Sequence, residues 1–247
     1  MIENYGGLSY KGSENNGNTI YVEIKPDSLL VRRLQDNDAE QVFNQKNNGT
    51  LDREFRVREL EMGPNKGQQV AEQIFDEISN VQLIKAESEE KFNQRRMVLV
   101  FNNMQDDSPN IQVQCTLIND YNSVNGYASS FIDRIPNITI GTPMTIKTWM
   151  MTDKKTGKVR RGITILQNNE KVQSAYYDYL NNVRIGDKPS AIKTTKLGKD
   201  SWDFTPVAEF QLAKFEEFGD DLKSYWDNGE VATKPEAVVV DEENMPF

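Results

Sequence analysis

Apolar and polar residues alternate along much of this chain in short runs, the period-2 signature of half-buried β-strands. Such runs fall at 19–25, 28–34, 54–61, 111–117, 144–151, 159–166 and 171–177. Met97-Val98-Leu99-Val100-Phe101 is apolar throughout, as a buried strand would be. In 111–117, Ile111, Val113, Cys115 and Leu117 share one parity against Gln112, Gln114 and Thr116, which predicts that Cys115 is a core residue. Two segments carry helical spacing instead. Val70, Ala71, Ile74, Phe75 and Ile78 fall on one side of a helix over 67–79. Ala208, Leu212, Phe215, Leu222 and Trp226 share a face over 206–226, with Thr205 as the expected N-cap and Pro206 at the first helical position. That helix is expected to dock on the body and carry the tail. Residues 1–18, rich in Gly, Asn and Ser, read as flexible, and 227–240 carry no amphipathic pattern.

The runs between 144 and 177 read as a three-stranded antiparallel meander, connected by turn chemistry at Thr156-Gly157 and Asn168-Asn169. Side chains alternate across a strand, so parity can be followed through both hairpins. A two-residue turn at Thr156-Gly157 puts Met150 opposite Ile163 and Thr148 opposite Ile165; the second turn puts Ile165 opposite Val172 and Ile163 opposite Ser174. One face then carries Ile146, Met150, Ile163, Ile165, Val172 and Tyr176, a coherent core side. The other carries Lys147, Trp149, Arg160, Thr164, Leu166, Lys171, Gln173 and Tyr177, with Lys154, Lys155 and Lys158 in the first hairpin tip. Sequence-tolerant binders of single strands use this combination, cations along the phosphates and flat rings on the bases. The other reading of Trp149 and Tyr177 is packing, under a helix or in an oligomer interface. Arg184, Lys188, Lys193, Lys196 and Lys199 follow in a polar stretch that is either a loop extending the groove or a basic connector.

Composition sharpens this picture. The net charge of −9 argues against nucleic acid until it is divided along the chain. Residues 145–199 hold 12 Lys and Arg against 4 Asp and Glu, whereas residues 200–247 hold 3 against 13. A basic block followed by an acidic end is the asymmetry expected of a phosphate-binding surface with a competing tail. With no histidine and one cysteine, the chain lacks the commonest metal ligand, the commonest neutral-pH base and any internal disulfide. There is no G-x-x-x-x-G-K-[ST] loop and no G-x-G-x-x-G turn. A carboxylate-held magnesium remains open in principle, but Asp106-Asp107 before Ser108-Pro109 reads as a turn. No metal, no cofactor and no catalysis are expected. No apolar run approaches a membrane span and the first residues lack a signal-peptide pattern, so a cytoplasmic protein without a membrane partner is expected.

The final residues, Asp241-Glu242-Glu243-Asn244-Met245-Pro246-Phe247, combine acids with a Met-Pro-Phe end. This resembles the tips of bacterial single-stranded DNA-binding proteins, which close on Ile-Pro-Phe, and those of the T7-type phage proteins, which close on Phe. The resemblance covers about seven residues of 247. It implies coating of single-stranded DNA in replication and recombination, and recruitment of partner proteins by Asp241, Glu242, Glu243, Met245, Pro246 and Phe247. The fold class expected is mainly β. The body at 19–204 would be an elaborated OB-fold, a five-stranded antiparallel barrel with insertions, followed by the helix at 205–226 and a disordered acidic tail at 227–247. The nucleic-acid site would comprise Lys147, Trp149, Lys154, Lys155, Lys158, Arg160, Lys171, Tyr177, Arg184, Lys188, Lys193 and Lys196, with a homo-oligomer compatible. Two other classes stay open at this point: an acidic DNA mimic or virion structural protein, and a carboxylate-metal nuclease.

Overall fold

The computed structural model describes residues 3–5, 8–10, 19–61, 63, 65–91, 94–104, 108–119, 123–181, 183–196 and 199–228. The expected flexible start before residue 19 lies largely outside the described residues, and the acidic tip at 241–247 lies entirely outside them.

The chain is mainly β with a C-terminal helix. Ten strands make the principal sheet: β1 (Thr19–Ile24), β2 (Leu30–Arg33), β3 (Phe55–Glu59), β4 (Gln69–Phe75), β5 (Glu77–Lys91), β6 (Gln94–Asn103), β7 (Asn110–Thr116), β8 (Met144–Thr152), β9 (Val159–Gln167) and β10 (Glu170–Lys171). Their order is β10-β9-β8-β5-β6-β7-β1-β2-β4-β3. Pairing is antiparallel except for β1 against β7. The five-stranded barrel expected from the sequence is not what forms: among the described residues the sheet is open, with β10 and β3 as its edges.

The sheet is nevertheless strongly curved. The turn between β1 and β2 reaches back to β8 and β9: Thr148 Oγ1 donates to Ser28 O, and Arg161 Nε donates to Pro26 O at 2.9 Å. Inside the curve sit Ile20, Val22, Leu99, Phe101, Val113, Cys115, Ile146, Ile163, Ile165 and Val172, so the core placement of Cys115 stands. The expected core face of the meander holds only in part: Met150 is exposed because the end of β8 runs past the core towards the hairpin loop, and Tyr176 is buried against Phe210 outside this cluster. Helix α2 (Gly126–Ile132) fills this trough with Tyr127, Ala128, Phe131 and Ile132. Helix α3 (Thr205–Asp227) covers it with Ala208, Phe215, Phe218 and Leu222, and Trp226 Nε1 donates to Leu83 O at 3.2 Å. Thr205 proves to be the first helical residue rather than the cap; the Asp203 carboxylate accepts its N–H at 2.9 Å and does the capping work. Helix α1 (Asp36–Asn47) packs separately on Leu34 and Ala71 through Val42, Ala39 and Phe43.

Three further expectations are corrected. The helix expected at 67–79 is β4 running into β5. Apolar residues at both parities fit a helix face in sequence, but here they mark a strand covered on both sides, with Val70 and Ala71 both buried. The first hairpin of the meander is set two residues from the expected register, pairing Thr148 with Ile163 and Ile146 with Ile165, because its loop spans Asp153 to Lys158. The third meander strand, expected over 171–177, stops at Lys171. Beyond Val172, whose N–H still reaches Ile165 O at 2.9 Å, Arg134 Nε takes the Val172 carbonyl at 3.1 Å and draws the chain out of the sheet.

Outside the sheet, residues 3–5 pair with 8–10, Tyr177–Asp178 with Val183–Arg184, and Ile192–Lys196 with Lys199–Asp203. No helix among the described residues is long and apolar enough to cross a membrane.

Candidate nucleic-acid interface

The β8–β9 hairpin is built by its own sequence. Asp153 opens the loop by accepting the N–H groups of Lys155 at 2.9 Å and Thr156 at 3.0 Å on Oδ1, an Asx turn. Gly157, at φ +68°, closes it with an N–H bond to Asp153 O at 2.8 Å. The backbone N–H groups of Thr156 and Lys155 hold the Asp153 carboxyl below the usual carboxylate range, with Arg160 adding to the effect. Lys154, Lys155 and Lys158 are exposed around this tip, and Met151 and Val159 are exposed beside it.

Because the register slipped by two residues, side-chain parity survived. Lys147, Trp149, Arg160, Thr164 and Leu166 do share the outer face of β8 and β9, and Lys171 lies directly across from Leu166. Lys147 pairs with Glu77, and Arg160 lies 3.8 Å from Asp153. Trp149 pairs across the ladder with Gly162, and its half-buried indole lies over that glycine. A Cβ at 162 would sit 2.4 Å from Cζ2 of Trp149 and 2.8 Å from Ser130 Oγ. The glycine thus makes the seat on which the ring rests, and Lys147 and Arg160 are its same-face neighbours by register, two positions along β8 and β9, with Lys171 farther along the face beside Leu166.

The remaining sequence-derived site residues are placed elsewhere. Tyr177 stands in the small Tyr177–Asp178 pair with Arg184, its ring 4.9 Å from that of Tyr179, and not on the β8–β9 face. Arg184 ties its own loop, donating to Lys188 O at 2.6 Å, to Pro189 O at 2.8 Å and to Ser190 Oγ. Lys188 binds both carboxylate oxygens of Asp133 at 2.6 and 2.7 Å, with side chains only 14 % and 16 % exposed, and Gln211 Nε2 adds a third bond to Asp133 at 2.8 Å. Lys188 therefore joins the 184–190 loop to α2 and α3, and its charge is spent inside. Lys193 lies on the hairpin of 192–196 with 199–203, paired with Asp200 at 2.7 Å, and Lys196 stands opposite Lys199 on the same arm.

Other cationic and aromatic groups were missed by sequence reasoning. Trp202, 56 % exposed, faces Lys193 across the arm. Arg161 is exposed at the rim of β9, anchored on Pro26 O. Arg56 and Arg58 on β3 each donate through Nε to the buried carboxylate of Glu72, at 2.7 and 2.8 Å, and Arg56 also reaches Asp27 in the β1–β2 turn at 3.2 Å. The alternation Arg56-x-Arg58 was the available signal, since it puts both guanidinium groups on one strand face.

Among the described residues, no group of three or more acidic, cysteine or histidine side chains is arranged to hold a metal ion. No protein-family model matches the chain, and neither a curated protein nor a solved structure matches it.

Proposed function

We propose that this chain binds single-stranded DNA through the outer face of β8 and β9, coating strands during replication or recombination. The observation that carries the reading is Trp149, seated over Gly162 on the same face as Lys147 and Arg160, with Lys171 farther along that face and the Lys154, Lys155 and Lys158 tip at its other end. A ring on an open face can stack a base, for roughly 1 to 3 kcal/mol, while the cations follow the phosphates. In this reading the curved sheet does what one face of an OB barrel does elsewhere, with the Lys-rich loop closing over the strand. The arm carrying Lys193 and Trp202 supplies a second cation and ring. Lys188 is left out because its ammonium is buried against Asp133, and Arg184 because its guanidinium donors are taken up by its own loop.

The acidic segment that includes Asp241, Glu242, Glu243, Met245, Pro246 and Phe247 enters as the partner-recruiting element, and a cytoplasmic setting goes with the whole. No chemistry is assigned to the protein. A gel-shift with a labelled oligonucleotide, with and without magnesium, tests this. Retardation without cleavage is expected. Retardation followed by cleavage would make it a nuclease, and no retardation would favour an acidic structural or DNA-mimicking protein.

A further inference from the structure

At the far end of the same face, away from the Lys-rich tip, a shallow pocket of about 390 Å³ opens between the Asn168-Asn169 turn and the start of β5. It is lined by Ser79, Thr145, Asn80, Asn168 and Asn169, with Leu166, Met144 and Pro143 as its apolar residues. No charged side chain lines it. That contrasts with the face it adjoins. Lys171 lies directly opposite Leu166, and Lys147 is two positions along β8 from Thr145 on the same side. Thr145, Lys147 and Trp149 therefore run in line, with about 13 Å between the first and last at the rise of an antiparallel strand.

The local backbone is made to present these groups. Asn80, Asn168 and Asn169 all hold positive φ, at +53°, +51° and +63°. Asn80 belongs to a β-bulge, where Ser79 and Asn80 of β5 stand opposite the single Thr145 of β8. The other two form the two-residue turn between β9 and β10. All three are exposed residues that line the pocket, outside the core.

An uncharged pocket beside a cationic track fits the uncharged part of a nucleotide. Amide side chains match the donor and acceptor pattern of a base edge, and Leu166 offers an apolar surface for its ring. We propose that this pocket takes one unstacked nucleobase of the bound single strand and reads its edge, while Lys147 and Lys171 hold the flanking phosphates. The proposal rests on the single-strand reading above and adds to it a base preference that stacking and phosphate contacts alone do not supply.

The test is the equilibrium affinity of the full chain for labelled dA, dC and dT homopolymers and an abasic strand, all of one length. The wild type is compared with the combined Asn80→Gly, Asn168→Gly and Asn169→Gly variant. Glycine accepts positive φ, so the backbone is kept while three amides are removed. Wild type should favour one homopolymer over the weakest by about tenfold, the size of one well-made base contact. The variant should lose that preference yet bind the abasic strand as wild type does, since the phosphate contacts remain. The single Asn169→Gly variant should show a partial loss of the same ratio. A preference that survives in the variants, or a wild type with none, overturns the pocket while leaving single-strand binding intact. If the wild type binds no strand, the pocket falls together with the reading beneath it.

Discussion

Gly162→Ala is the sharpest probe of how Trp149 is held. The new methyl carbon would lie 2.4 Å from Cζ2 and 2.7 Å from Cε2 of the indole, and 2.8 Å from Ser130 Oγ. Carbon atoms rest at about 3.5 to 4.0 Å, so the ring must withdraw by roughly 1 Å or more. Ser130 has little room to yield. Its hydroxyl accepts the Ile163 N–H at 3.0 Å, donates to Ile163 O at 3.1 Å and lies 2.9 Å from an Arg134 terminal nitrogen. In effect Ser130 substitutes for a missing neighbour strand along this stretch of β9. Overpacking of this kind costs about 1 to 3 kcal/mol. For a chain of this size that lowers the melting temperature by about 2 to 4 °C per kcal/mol. Urea unfolding of the wild type, Gly162→Ala, Trp149→Ala and the double variant gives the cycle. Removing the indole deletes the two closest of the three clashes, so the glycine substitution should cost less in the Trp149→Ala background, with a coupling of about 0.5 to 3 kcal/mol. Strictly additive effects, or no loss in Gly162→Ala, would show that the ring does not rest on residue 162.

Lys188→Ala should destabilise the fold by about 1 to 3 kcal/mol by leaving Asp133 with an unpaired, largely buried carboxylate, while the folded protein binds single strands as before; weaker binding with unchanged stability would return Lys188 to the interface. Burial pushes the Cys115 thiol from 9.0 up to about 12, with Glu23 adding to the effect. The unfolded chain then loses this proton first, so the contribution is complete below pH 9.0 and is lost as pH rises towards about 12. Urea titrations across that window should show a steeper decline for wild type than for Cys115→Ala, and parallel curves would count against a buried neutral thiol. The hairpin of 192–196 with 199–203 is a two-stranded unit with exposed Ile192 and Trp202, and such pairs have little stability by themselves. Trypsin should cut this arm before the sheet in the free protein and more slowly with a single strand bound; equal rates in both states would remove the arm from the interface.

The parts of this fold that sequence shows best are those with local causes. Parity in β8 and β9 was legible because Ile146, Ile163 and Ile165 alternate with polar neighbours, and a slip of two residues leaves every side chain on its own face. The loop length was not legible, because it depends on Asp153 capturing the N–H groups of Lys155 and Thr156. β5 was hidden by its bulges. Its core residues Ile78, Val81, Leu83 and Ala86 are spaced three, two and three apart, which breaks the period-2 pattern at Asn80 and again at Ile84. α1 was missed because it buries little beyond Val42. Among the site residues, Lys147, Trp149, Arg160 and Lys171 were readable from alternation alone. Lys188 was misread because its partner Asp133 is 55 positions away, and no local pattern reveals such a pair. The role of Gly162 as the seat of Trp149 likewise appears only when two strands are aligned.

The affinity of a labelled single strand as a function of salt, for wild type and Trp149→Ala side by side, bears most directly on the claim that the outer face of β8 and β9 is the binding surface. Log affinity should fall linearly with log salt, by about 0.7 per phosphate neutralised, and a duplex of the same length should bind much more weakly. The Trp149→Ala line should run parallel to the wild-type line but lie roughly 1 to 3 kcal/mol weaker, because stacking adds affinity without releasing ions. Superimposed lines for the two proteins, equal affinity for duplex and single strand, or an affinity indifferent to salt would contradict it.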